Sequence, residues 1–223
     1  MFRESRNGRA CGPLFGGLAA ALVLAALLSQ PAKASPSGTP GVTFDNTTGE
    51  TLSNNQFTLG WQFTTSAPMT LNALGVFDDS QDGLLASHDV GIWDSSANLL
   101  ASATVDSGTT DSLVNQFRYQ AITPVTLPAG TYEIGAFWGS DDPILFPGDT
   151  ISNFTTASGV AFVQSSLASG SSLTDPTDSQ GTSAGFFGPN FLIQGANVPE
   201  PVSLTLLGTG LVALGLARAK RRQ

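Results

Sequence analysis

The feature that most constrains this chain is a repeated punctuation. Short apolar and β-branched runs are broken every 10 to 15 residues by clusters of Gly, Pro, Asp, Asn and Ser. Such runs cover 57–64, 70–77, 88–93, 99–105, 117–122, 125–127, 132–138, 160–163 and 191–194. Outside the two ends, no stretch keeps a helical period over three turns. With 25 Gly and 13 Pro among 223 residues, long helices are disfavoured as well. Within the runs the side chains alternate. Phe57, Leu59, Trp61 and Phe63 share one face, and Tyr132, Ile134, Ala136 and Trp138 share another. The expected fold is all-β, an antiparallel β-sandwich or jelly-roll-like domain over 56–197. A linker and N-terminal segment, 35–55, precedes it. The segment 165–185, rich in Ser, Thr, Gly and Asp, is expected to be a long loop or mobile insert.

Charge narrows the partners. From Ser35 to Asn197 there are 15 acidic residues and a single base, Arg118, for a formal charge of −14. Such a surface repels polyanions, so nucleic acid is not an expected partner. One Cys excludes an intramolecular disulfide, and one His excludes a multi-His metal site.

The two ends read as signals. Arg3, Arg6 and Arg9 precede an apolar run from Leu14 to Leu28, and Ala32-Lys33-Ala34 supplies a small-x-small cleavage site. This order is that of a secretory signal peptide over 1–34, with Ala32 and Ala34 setting the cut. Its 15-residue run is shorter than the roughly 20 residues needed to span a bilayer. The Sec translocon and signal peptidase are the expected partners. At the other end, Val198-Pro199-Glu200-Pro201 leads into an apolar run from Val202 to Ala217. Arg218, Lys220, Arg221 and Arg222 follow. The run reads as a C-terminal transmembrane helix, and the basic cluster orients it with its end in the cytoplasm.

Pro199-Glu200-Pro201, the short Gly-containing apolar run and the basic end resemble the PEP-CTERM sorting signal of Gram-negative bacteria, here over 198–223. The resemblance implies recognition by an exosortase, a membrane enzyme thought to cut at or near that motif. The protein would then be exported across the inner membrane, anchored transiently, and passed to the cell envelope or medium.

The body resembles a β-sandwich domain common in bacterial exported proteins and without assigned activity. The resemblance rests on Leu74-Gly75-Val76-Phe77-Asp78, Asp82-Gly83-Leu84, His88-Asp89-Val90-Gly91-Ile92-Trp93-Asp94, Phe117-Arg118-Tyr119 and Leu127-Pro128-Ala129-Gly130-Thr131-Tyr132. It supports the fold more than a function.

Candidate chemistry within the body is sparse, and the expectation is a non-catalytic domain of unknown ligand. Asp78, Asp79 and Asp82, before Gly83, could hold Ca²⁺, with Asp141, Asp142 and Asp149 as further oxygens; an ordinary Asx turn explains the same residues. No other cofactor is expected. Trp61, Trp93 and Trp138 could stack a sugar in a carbohydrate-binding module for extracellular polysaccharide, or simply pack the core. A carboxylate-dependent hydrolase would draw on Glu133. His88-Asp89 invites a catalytic reading, but neighbours on a strand point to opposite faces. Arg118, between Phe117 and Tyr119, is expected to pair with a carboxylate.

Overall fold

A computed structural model describes residues 35–45, 50–51, 56–139, 142–146, 151–183 and 185–195. Ala32, Ala34, Pro199, Glu200, Pro201, Arg218, Lys220, Arg221 and Arg222 lie outside the described residues, as do Asp141 and Asp149. So do the two expected terminal helices.

The described strands, in chain order, open with β1 (Thr39–Pro40), β2 (Val42–Thr43), β3 (Glu50–Thr51), β4 (Phe57–Thr65) and β5 (Met69–Phe77). Next come β6 (His88–Asp94), β7 (Leu99–Val105), β8 (Ser112–Val114), β9 (Phe117–Leu127) and β10 (Gly130–Trp138). The last are β11 (Pro143–Ile144), β12 (Thr155–Thr156), β13 (Val160–Ser169), β14 (Asp178–Ser179) and β15 (Pro189–Ile193). The described residues contain no helix, and so none long and apolar enough to cross a membrane.

The fold is all-β and antiparallel, as the alternation predicts. One sheet has the order β1-β15-β5-β9-β8 and the other β14-β13-β4-β10-β6-β7, with two small ribbons, β11-β3 and β12-β2. The large sheets face each other across one core. Trp61 of β4 stacks on Phe191 of β15, centroids 5.8 Å apart, and Phe63 meets the same ring at 4.9 Å. The alternating face of β4 thus becomes the inner face: Leu59, Trp61 and Phe63 are buried, with Ile134, Ala136 and Trp138 beside them on β10.

Two elements differ most from their sequence-based outlines. The runs 117–122 and 125–127 are one strand, β9, interrupted by Pro124. The register against β5 shifts there, with Ala121 opposite Ala73 and Val125 opposite Leu71. A bulge is where a strand tolerates a residue without an N–H. Likewise β13 runs on to Ser169, through the start of the expected loop 165–185. Its serines lack the apolar signature of a strand, but Ser165 and Ser166 are buried with partners. Ser165 Oγ donates to the carbonyls of Ser183 and Gly185, and Ser166 Oγ to Glu133.

The first and last strands are neighbours. Thr39 faces Ile193 and Pro40 faces Leu192 in antiparallel register. The chain therefore comes into this sheet and departs from it side by side, at one end of the domain. Asn190, fully buried, ties the two segments together. Its Nδ2 donates to the Val42 carbonyl at 2.9 Å, while its Oδ1 accepts from the Val42 amide at 3.2 Å.

Candidate functional site

The outer face of the six-stranded sheet carries the most unusual polar group. Since Tyr132, Ile134 and Ala136 point inward, Glu133 and Gly135 point outward. In register across the sheet, Gln62 (β4), Glu133 (β10) and Trp93 (β6) form one row, and Gly60, Gly135 and Gly91 form the next. Ser166 of β13 faces Gly60. The Glu133 carboxyl accepts from Gln62 Nε2 at 2.7 Å and from Ser166 Oγ at 3.0 Å, reaching over Gly60 to do so. Although outward-facing, Glu133 is only 8% exposed.

Residues 170–181 cover it. The Gly170 amide donates to the Gln56 carbonyl and the Thr174 amide to Thr58 Oγ1, each within 3.0 Å. β14 then pairs with β13. Pro176 is buried on Gly135, where a Cβ would come within 3.0 Å of the proline ring and 2.6 Å of the Thr58 methyl. Only glycine leaves room for this segment. Between it and the β6–β7 turn lies a cleft of about 420 Å³, lined in part by Glu133, Asp175, Asp94, Gln62 and Tyr132. Burial pushes the Glu133 carboxyl up to about 7, against the lowering effect of Gln62 and Ser166; the Asp175 charge adds to the rise. Asp175 is raised too, by burial and by Asp94.

The three tryptophans offer no open ring face to a ligand, which corrects their assignment as stacking residues. Trp61 and Trp138 are fully buried between the sheets, with Nε1 donating to the Pro189 carbonyl at 2.9 Å and to the Asp142 carbonyl at 2.7 Å. Alternation in an apolar strand sends both rings to the core. Trp93 is on the other face, outside the inter-sheet core, and is still only 5% exposed. Its indole lies over Gly91, where a Cβ would be 2.6 Å from the ring.

Asp78, Asp79 and Asp82 line one cleft of about 200 Å³ together with Asp142. Asp78 is turned inward, however. Its carboxylate accepts from Arg118 Nε at 2.7 Å and from the Gly83 amide at 3.2 Å. The guanidinium also donates to the Asp111 and Gln81 carbonyls. The lone base of the body thus pairs with a carboxylate, and a cation beside Asp78 would face that guanidinium. Among the described residues no three His, Cys, Asp or Glu side chains are grouped to hold a metal ion.

His88 is 1% exposed and does not meet Asp89, whose carboxylate accepts from Thr104 Oγ1 on the opposite face. Its partner is Asp142: Nε2 and Oδ2 are 2.9 Å apart, and Nδ1 is 2.9 Å from the Phe137 carbonyl. Asp142 also accepts from the Leu85 and Ala86 amides. His88 faces the core and Glu133 the outside, so the fold does not bring these two residues into one site. The Glu133 partners and the His88–Asp142 pair were not evident from sequence spacing. They join residues 33 to 71 positions apart, and only the strand register reveals them.

No family model, curated protein or solved structure matches this chain.

Proposed function

We propose that this is an exported cell-envelope or extracellular protein, sorted and cut by an exosortase, whose β-sandwich acts outside the cytoplasm without catalysing a reaction. The observation that carries this reading is the C-terminal order Pro199-Glu200-Pro201, apolar run, and Arg218, Lys220, Arg221, Arg222, behind an N-terminal signal peptide. The adjacency of β1 and β15 supports it. A domain whose two chain ends lie together can be held from one end by a tail and stand free at the other. The surplus of acidic residues suits an exported, soluble domain.

The test is the intact mass of protein recovered separately from membrane and from medium. The expected mass lacks both the leader and everything beyond about Pro201. Replacing Pro199, Glu200 and Pro201 with Ala should hold the full tail on the protein and keep it in the membrane. Unchanged mass and distribution in that variant would overturn the sorting assignment.

A further inference from the structure

The segment 170–181 is tied to the sheet through Gly170, Thr174 and the β14 pairing with β13, and between these ties two acids share one sheltered place. Glu133 forms the floor, nine-tenths buried, and Asp175 belongs to the covering segment itself. Asp175 Oδ1 is buried without a hydrogen-bond partner among the described residues. A charged carboxylate oxygen shut away from both water and donors is costly; a protonated carboxyl is much less so. Among the described residues, the groups around the pair supply no counter-charge. Gln62 from β4 and Ser166 from β13 are neutral donors, and Asp94 from the end of β6 is a third acid. Tyr132 of β10 stays neutral, its hydroxyl raised by burial and by Asp94 and donating to the Pro128 carbonyl. Asp178, on β14, is exposed. Arg118, the only base in the body, pairs with Asp78 in the other sheet.

We propose that residues 170–181 are a pH-gated strap. They stay docked on the outer face of β4 and β10 while Glu133 and Asp175 share at least one proton, and they loosen when both carboxyls are charged. The sign follows from the burial the strap imposes. With the strap docked, Glu133 titrates near 7; with the strap lifted, the carboxyl is solvated and returns toward its ordinary value near 4.5. Docking therefore weakens as pH rises between those two values, and stays weakened above them. Lifting the strap uncovers the floor of Gly60 and Gly135, with Trp93 at its margin.

Hydrogen exchange tests this on the full chain purified in detergent, with rates corrected for intrinsic pH dependence. The amides to follow are Thr174 and Gln180, which donate to Thr58 Oγ1 and to the Ser165 carbonyl. Their protection should fall about tenfold or more from pH 5 to pH 8.5, the equivalent of one pH unit or more of linked shift. Amides in β5 and β9 should keep theirs. In Glu133→Gln the strap should remain protected across the range. Asp175→Asn, at a partly exposed position, gives the same test if the first variant folds poorly. Equal protection of the strap at both pH values in the parent protein would overturn the proposal. So would a full pH response in both variants.

Discussion

Trp61→Ala should lower the unfolding free energy by about 4 kcal/mol, in the range for truncating a fully buried Trp. A large part of a small domain's typical stability of about 5–15 kcal/mol would go with it. Two losses combine. The ring is wholly buried and contacts Phe63, Phe162, Phe187 and Phe191, with centroids 5.2 to 6.5 Å away, so removing it leaves a cavity at the junction of the two sheets. The Pro189 carbonyl, which accepts from Nε1 at 2.9 Å, is left in that cavity without its donor. Trp61→Phe separates the two, since it keeps most of the packing and removes only the N–H. It should cost about 1–2 kcal/mol, near the value for a buried group left unpaired. Urea titration at neutral pH checks both. A loss below 1 kcal/mol for Trp61→Ala would mean that the two sheets are not joined through this ring.

How much of this could be read from the sequence depended on how far apart the interacting residues were. Strand β4 was legible because its period is local: Phe57, Leu59, Trp61 and Phe63 mark its inner face without reference to any other strand. The same holds for β10. Strand β13 was legible only at its apolar start. Its continuation through Ser165, Ser166 and Ser169 depends on pairing with β4 and on hydrogen bonds to Glu133 and to residues 183 and 185. The three tryptophans show the limit from another side. Composition cannot distinguish a ring that packs from one that binds. Trp93 adds that an outward-pointing ring need not be available, because Gly91 gives it a bed on the sheet. Glu133 is legible as an acid within a strand, between the inward-facing Tyr132 and Ile134. What makes it unusual, the cover supplied by Pro176 and Asp175, comes from more than 40 residues away.

Asp142→Ala should cost about 3 kcal/mol at pH 7, because one side chain ties three otherwise separate groups. Its carboxylate accepts from the Leu85 amide at 2.7 Å, the Ala86 amide at 3.0 Å and His88 Nε2 at 2.9 Å. The His88 ring is flanked by this carboxylate at Nε2 and by the Phe137 carbonyl at Nδ1, each 2.9 Å away. Removing the carboxylate takes away the acceptor of two backbone amides and the contact at His88 Nε2. Burial alone would raise the Asp142 carboxyl. The hydrogen bonds from His88, Leu85 and Ala86, with the charge on His88, outweigh it and hold the group below its ordinary value of 3.8. A depressed carboxyl stabilises the fold at pH values above its unfolded pKa, and that stabilisation is lost as pH falls through the folded one. The difference between parent and variant should therefore be complete at pH 7 and shrink below about pH 4. Glu133, raised rather than depressed, acts in the other direction: its contribution is largest below about pH 4.5 and declines toward pH 7. The parent protein should accordingly be most stable in mildly acidic solution. Asp142→Ala should move that optimum to lower pH, whereas Glu133→Gln should move it toward neutrality. Thermal unfolding of the three proteins from pH 3 to pH 8 measures these shifts directly. Parallel curves for all three would show that neither carboxyl's protonation is coupled to folding.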